Sequence, residues 1–276
     1  MGAFDPKRVF AQGSPAIMGV LNVTPDSFSD GGLFFHREAA VRHGEALFAE
    51  GAVVVDVGGE STRPGASPVP ADEEAARVVP VIADLVRRVP SGIISVDTSK
   101  PEVAAKALHA GASVVNDVTA GNHPRMLDLV AEAGAGIVLM HMRGTPQTMQ
   151  RETRYTHVVA EVAEFLALGA ERAVAAGIPE SHVFLDPGIG FGKDVAGNLA
   201  LLSALPDLAA LGFPLVVGVS RKSFIGHITG APVGERLPGS LAAIVPALAC
   251  PRVLVRVHDV AATRQFLEVA KAVRAA

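Results

Sequence analysis

Polar side chains able to do chemistry recur in this chain at one kind of place, the end of a short apolar run. Ala16-Ile17-Met18-Gly19-Val20-Leu21 is followed by Asn22. A second run closes on Asp56 and continues as Gly58-Gly59-Glu60-Ser61-Thr62-Arg63-Pro64-Gly65. Later runs close on Asp97-Thr98, on Asn116-Asp117, on His141 and on Asp186, the last leading into Pro187-Gly188-Ile189-Gly190-Phe191-Gly192-Lys193. The final two run into Ser220-Arg221-Lys222-Ser223 and Arg256-Val257-His258-Asp259. Sorted by charge, Arg63, Lys222, Arg256 and His258 suit a phosphorylated ligand, with Arg256 offering a bidentate fork. Asp97, Asn116 and Asp186 suit a flat heterocycle with a row of N–H donors and carbonyl acceptors, and Asp186 can accept two hydrogen bonds from an amidine-like edge. Asn22 and a diphosphate could share Mg²⁺, which takes oxygen ligands and keeps several waters.

Any one such residue alone reads equally as a helix cap or a turn former. Asp56, Asp117 and Asp259 are the acids that best fit that plainer role. Eight run ends at once do not, because packing alone has no use for buried charge. Other chemistries are absent. There is no Cys/His cluster and no His-Glu-x-x-His for zinc. Gly188 to Lys193 resembles a phosphate loop only in composition, since Asp194 stands where Ser or Thr would bind Mg²⁺. Gly218-Val219-Ser220-Arg221-Lys222 lacks the second glycine of a hydrolase elbow.

The elements that must position these residues alternate regularly. Strands are expected at Ala16–Leu21, Ala52–Val57, Gly92–Asp97, Ser113–Val118, Gly136–His141, His182–Asp186, Leu215–Val219 and Arg252–Val257. Each is near-continuously apolar, as parallel strands covered on both sides are. Helical spacing fills the gaps: Asp72–Val89 with Pro80 as an expected kink, Ser99-Lys100-Pro101-Glu102 as an expected capping box with Ser99 as N-cap, Tyr155–Gly177, and a last helix marked by Phe266, Leu267, Ala270 and Val273. Pro246 interrupts the seventh helix. Eight βα units over about 250 residues have the rhythm of one (β/α)₈ TIM barrel rather than an open doubly wound sheet. In such a barrel all the strand ends meet at one face, where the loops after strands seven and eight often hold phosphate. No linker or low-complexity tract points to a second domain, and residues 1–14 read as a lead-in covering the barrel's bottom.

Composition agrees. The chain has 276 residues, 49% hydrophobic, with a net charge of −4, so it carries no basic footprint for nucleic acid. Its single cysteine, Cys250, lies in an apolar run and reads as a small buried hydrophobe. The N-terminus has no signal-like apolar region, and the longest apolar run, Leu241–Cys250, is too short to cross a bilayer. A cytoplasmic protein without membrane contact is expected.

The segments Met18–Gly32, Asp56–Gly65, Ser95–Thr98, Asn116-Asp117, Asp186–Lys193, Ser220–Ser223 and Arg256–Val260 together resemble dihydropteroate synthase, in order and on seven of eight strands. The resemblance implies a TIM barrel, usually a homodimer, that joins 4-aminobenzoate to 6-hydroxymethyl-7,8-dihydropterin diphosphate and releases 7,8-dihydropteroate and pyrophosphate in folate synthesis. By position it places Asp97, Asn116, Met140, Asp186 and Lys222 on the pterin. Asn22, Arg63, Arg256 and His258 would hold the diphosphate, with Mg²⁺ near Asn22. Phe28, Thr62, Pro64, Phe191 and Ser223 would form the aminobenzoate and sulfonamide pocket. Asp26, Phe28, Asp30, Arg63 and Lys222 would be the catalytic set. The family mechanism needs a stabilised leaving diphosphate and a cationic pterin methylene steadied by acids such as Asp97, and the neutral arylamine then attacks without a strong base. Lys222 is expected to act mainly by hydrogen bonding to the ring.

Pro246 and Pro251 depart from the family's Ala-rich helix and Gly-Ala turn, in a region that commonly belongs to the dimer contact. A pterin-dependent corrinoid methyltransferase would share the pterin acids but has no use for Arg63, Arg256 and His258. A non-catalytic pterin-binding paralogue would not be expected to keep Asp26, Phe28, Asp30, Thr62, Arg63 and Pro64. The polar stretch Thr24–Asp30 is expected to act as a lid that carries Phe28 over the aminobenzoate ring, hinged at Gly31-Gly32.

Overall fold

The computed structural model describes residues 4–24, 33–61, 65–151 and 153–276. The expectations placed on Asp26, Phe28, Asp30, Thr62, Arg63 and Pro64, and on the lid, lie outside the described residues. Eight parallel strands close into a barrel in chain order: β1 (Ala16–Asn22), β2 (Val54–Gly58), β3 (Ile93–Asp97), β4 (Val114–Asp117), β5 (Gly136–Met140), β6 (Val183–Asp186), β7 (Leu215–Gly218) and β8 (Val253–Val257). The expected TIM barrel is therefore present, with strand limits shifted by one or two residues.

The helices are α1 (Leu33–Glu50), α2 (Ala71–Arg88), α3 (Pro101–His109), α4 (Pro124–Ala133), α5 (Val158–Ala175), α6 (Val195–Ser203), α7 (Leu205–Ala209), α8 (Ser223–Thr229), α9 (Leu237–Ala242) and α10 (Val260–Ala275). The α2 helix runs from Ala71 to Arg88 with Pro80 inside it and buries Val78, Val81, Ile82 and Leu85. After α9 the chain tightens into a 3-10 turn at Val245–Ala249, with Pro246 in its first turn. The capping box at Ser99 does not form. Helix α3 begins one residue later, with Lys100 as N-cap and Pro101 first in the helix, because proline's fixed φ and missing N–H suit the first helical position best. The Lys100 amide donates instead to the Thr98 hydroxyl at 3.2 Å.

Alternate residues of each strand face opposite sides of the sheet, and this divides the core in two. Outward residues such as Leu21, Val55, Val57, Ile94, Val96, Val115, Leu139, Leu185, Val217 and Val255 pack under the helices. Inward residues Ala16, Met18, Val54, Ile93, Val114, Val138, Phe184, Val216 and Leu254 fill the lower barrel. The lead-in closes that end, with the rings of Phe4 and Phe10 centred 6.2 and 6.5 Å from Phe184. Cys250 is buried, as expected.

Candidate active site at the barrel mouth

Two residues above the apolar plug, the inward positions change character. Counting up each strand from the plug residue gives Asp56 after Val54, Ser95 after Ile93, Asn116 after Val114, Met140 after Val138, Asp186 after Phe184 and Arg256 after Leu254. Four residues above the plug stand Asn22, Asp97 and His258. Register sets the side-by-side order: Asn22 lies against Gly58, Gly58 against Asp97, and Asp97 against Asn116. Met140 pairs with Asp186, and Gly218 with Arg256. Strand parity thus brings the expected pterin residues of β3 to β6 onto one inward ring.

Arg256 ties this ring together. Its Nε donates to Asp56 Oδ2 at 2.7 Å, and its terminal nitrogen donates to Asp97 Oδ2 at 2.7 Å. Asp56 Oδ2 also accepts from Asn116 Nδ2 at 2.9 Å. Asp56 is 0% exposed and Asp97 9%. Burial, opposed by Arg256 and aided by Asp56, pushes the Asp97 carboxyl up to about 7. Burial opposes charge on Arg256, but Asp56 and Asp97 more than offset it and raise its pKa. Arg256, expected on a diphosphate, is thus engaged by two carboxylates, one of them an expected pterin ligand. Asp56 is the site residue that sequence reasoning undervalued: it sits on the inward face and orients both Arg256 and Asn116. Asp117, one position out of phase, does hold the plainer role. Its carboxylate accepts from the amide and hydroxyl of Thr119 at 2.8 and 2.7 Å and from the Gly121 amide at 2.9 Å.

The β6 loop is shaped by glycines in the left-handed region. Gly188 has φ +65°, and a Cβ there would stand 1.9 Å from the His141 carbonyl oxygen. Only glycine fits so close a backbone approach. Asp186 anchors the loop by accepting from the Gly188 amide at 2.7 Å, and burial raises its pKa against the opposing charge of Lys222. Lys193, 3% exposed, stitches the loop from inside. Its Nζ meets His141 Nδ1 at 3.0 Å and donates to the carbonyls of Gly188 at 2.9 Å and Phe191 at 2.8 Å. Burial lowers Lys193 to about 7. Burial, aided by Lys193 and Arg143, lowers His141 to about 3, so the imidazole is neutral. Asp194 caps α6, accepting from the Gly197 amide, and its carbonyl accepts from Asn198 Nδ2 at 2.7 Å.

On the far side, Arg221 holds a left-handed φ of 58°, a conformation that costs a non-glycine L-residue roughly 1–2 kcal/mol. Its guanidinium grips Asp259 at 3.0 and 2.6 Å, and its amide donates to Ser240 Oγ at 2.9 Å. Asp259 is thus a structural acid, as expected. This strained turn aims the next residue, Lys222, across the mouth. Lys222 Nζ donates to the Ile189 carbonyl and sits 4.2 Å from the centre of the Phe191 ring. Burial lowers Lys222 to about 8, with Asp186 opposing. An expected pterin residue and an expected aminobenzoate residue are therefore in contact. Ser223 opens α8 as an exposed residue, and His258 is oriented by Ser220, whose Oγ lies 3.1 Å from Nδ1.

The site's oxygen donors also bear on a metal. Among the described residues, no group of three His, Cys, Asp or Glu side chains could hold one. Asn22 offers a single amide oxygen at the mouth, and that fits a hard cation which arrives with a diphosphate and keeps its waters.

Comparison with known proteins gives this geometry a context. A family model described as pterin binding enzyme matches residues 18–258. The dihydropteroate synthase of Escherichia coli strain K12 is 44% identical over 271 residues, 96% of each chain. The solved structure of Xanthomonas albilineans dihydropteroate synthase with 4-aminobenzoic acid superposes with a TM-score of 0.89 at 49% identity, covering 95% of this chain and 94% of that one. A structure of the same enzyme in complex with 7,8-dihydropteroate gives a TM-score of 0.85 at 46% identity, again over 95% and 94%. Yersinia pestis dihydropteroate synthase with a sulfonamide drug complex gives 0.89 at 41% identity, over 100% and 99%.

Proposed function

This chain belongs to the pterin-binding enzymes, within them to the dihydropteroate synthases, and from that premise we propose how its barrel mouth makes 7,8-dihydropteroate. It is a transferase of folate biosynthesis. It condenses 6-hydroxymethyl-7,8-dihydropterin diphosphate with 4-aminobenzoate and is a target of sulfonamides. The observation that carries the reading is the convergence of Asp97, Asn116, Asp186, Lys222 and Arg256 on one inward ring above an apolar plug.

In this proposal Asn116, Asp186 and Lys222 read the donor and acceptor edges of the pterin, and Met140 packs on its face. Asp97 takes pterin N–H donors in exchange for its bond to Arg256. That exchange frees the terminal nitrogens of Arg256 toward the diphosphate, while Asp56 keeps hold of Nε. Arg256, His258 and Arg63 then offset charge growing on the leaving group. The buried carboxylates steady the cationic methylene until the neutral arylamine attacks, and Phe191, Ser223, Thr62, Pro64 and Phe28 shape that second pocket. Asp26 and Asp30 remain in the proposed catalytic set on the strength of the resemblance. Mg²⁺ held at Asn22 would supply charge neutralisation on the diphosphate.

A homodimer is part of the proposal, supported by the exposed apolar side chains Ile228, Val233 and Val245 on the segments that follow β7. A cytoplasmic location rests on the enzyme class alone. Among the described residues no helix is long and apolar enough to cross a membrane. The test is direct: mix purified protein, pterin diphosphate, Mg²⁺ and 4-aminobenzoate, and follow pyrophosphate and dihydropteroate together. Product that depends on aminobenzoate in equal amount to pyrophosphate is expected, and its absence overturns the reading.

A further inference from the structure

Between β5 and α5 lies a long connection, described at residues 141–151 and 153–157, of which only His141 has been given a role so far. It is built as a strut. Thr148 Oγ1 accepts from the Thr145 amide at 3.0 Å, and the Met149 amide donates to the Thr145 carbonyl at 2.7 Å. Met149 is 1% exposed and roots the segment in the core. The Arg143 guanidinium lies 3.8 Å from the centre of the Tyr155 ring, donates to the Arg154 carbonyl at 2.6 Å and pairs with Glu161 on α5. Glu161 in turn accepts from the amides of Thr156 and His157, both at 2.8 Å.

The strut touches two neighbouring connections. On one side the Pro146 carbonyl accepts from the Gly65 amide at 3.3 Å, in the connection that follows β2. On the other, Tyr155 Oη donates to the Gly192 carbonyl at 2.9 Å and Gln150 Nε2 to the Gly190 carbonyl at 3.4 Å. Those two glycines flank Phe191. A Cβ on Gly192 would come 3.1 Å from the Arg143 carbonyl oxygen, so the two loops are in backbone contact. Phe191 is thus clamped between the strut and Lys222.

We infer that the β5–α5 connection sets the position of the Phe191 wall, with Tyr155 as a positioning residue that governs recognition of the para-substituted arylamine and not of the pterin. The inference rests on the function proposed above. Among the described residues, the hydrogen bond and ring contacts of Tyr155 run to Gly192, Arg143 and His141 and not to Asp97, Asn116, Asp186 or Arg256, so its loss is expected to leave the pterin residues in place. Lys193 and Asn198 hold the loop through Phe191 and Gly190, and the Tyr155 hydroxyl adds the bond to the carbonyl of Gly192, one of its two left-handed glycines beside Phe191.

The experiment compares wild type, Tyr155→Phe and Tyr155→Ala, with KM for 4-aminobenzoate and for the pterin diphosphate measured separately. The expected result is a rise of about threefold in the aminobenzoate KM for Tyr155→Phe and tenfold or more for Tyr155→Ala. That corresponds to losing one neutral hydrogen bond and then the ring under Arg143 as well. The pterin KM is expected to stay within twofold in both. An unchanged aminobenzoate KM in Tyr155→Ala, or parallel rises in both KM values, overturns the inference while the synthase reading stands. A wild-type protein that makes no aminobenzoate-dependent product overturns both. Tyr155→Phe keeps the ring and its packing, so a folding failure of Tyr155→Ala still leaves a decisive variant.

Discussion

Replacing Asp56 by asparagine tests the central idea that this buried acid organises the site. The substitution keeps volume and one acceptor oxygen but removes the charge that holds Arg256 Nε at 2.7 Å and Asn116 Nδ2 at 2.9 Å. Breaking a buried ion pair costs about 3–5 kcal/mol, and here Asp56 is fully buried while the Arg256 side chain is 22% exposed. Arg256 keeps its 2.7 Å bond to Asp97, which places the loss near the low end, about 3 kcal/mol. For a chain of this size that lowers the melting temperature by roughly 6–12 °C. The same loss expressed in transition-state binding is about a hundredfold in kcat/KM for the pterin diphosphate. A pH profile separates positioning from plain destabilisation. Asp97 is raised to about 7, chiefly by burial and in part by Asp56. With Asp56 neutral, one repulsion is gone, Asp97 ionises at lower pH, and the acid limb of kcat/KM, which reports the free enzyme, moves down in pH. A folded Asp56→Asn protein with wild-type kcat/KM and an unmoved acid limb would refute the reasoning.

Lys222→Met and Lys222→Arg are each expected to lose roughly 10- to 100-fold in kcat/KM for the pterin substrate, the worth of a hydrogen bond from a charged group, and full activity in either removes Lys222 from the site. Lys193→Met strands the carbonyls of Gly188 and Phe191 and His141 Nδ1, at about 3 kcal/mol or more, measurable by urea denaturation. The folded pKa of Lys193 is depressed from 10.5 to about 7, so its contribution is full above 10.5 and is lost as pH falls through 7. The gap between wild type and Lys193→Met is therefore expected to widen from pH 7 upward. Gly188→Ala forces a Cβ to 1.9 Å from the His141 carbonyl and is expected to yield little folded protein, whereas Gly212→Ala, with nothing near its Cβ site, is expected to cost only its left-handed φ. Tyr155 is the sole tyrosine, and the chain has no tryptophan, so its titration is visible directly. Burial raises its pKa above 10.0, so tyrosinate absorbance is expected to appear at higher pH in the folded protein than in urea. Coincident curves would mean that the hydroxyl is not held.

The alternation of apolar runs and Ala-rich helices pointed to an eight-stranded barrel, because an open doubly wound sheet rarely needs eight such evenly spaced parallel strands. It also placed Asn22, Asp97, Asn116, Asp186, Lys222 and Arg256 at strand ends and so at one mouth. Cap positions were less legible. Ser99 satisfies the capping pattern, yet proline's geometry at the next helical position moved the start to Pro101. What the chain order could not decide was which strand-end acids face inward. Asp56 and Asp117 follow similar valine runs and look alike in one dimension. Parity within a closed barrel sends one to Arg256 and Asn116 and the other to the turn at Thr119 and Gly121. The partners of Asp56 are 60 and 200 residues away in the chain, and only barrel closure brings them within hydrogen-bond reach. Residue type and spacing determined the chemistry available to this protein. The pairing of charges that tunes it depends on distances across the barrel, and these exist only once all eight strands are in register.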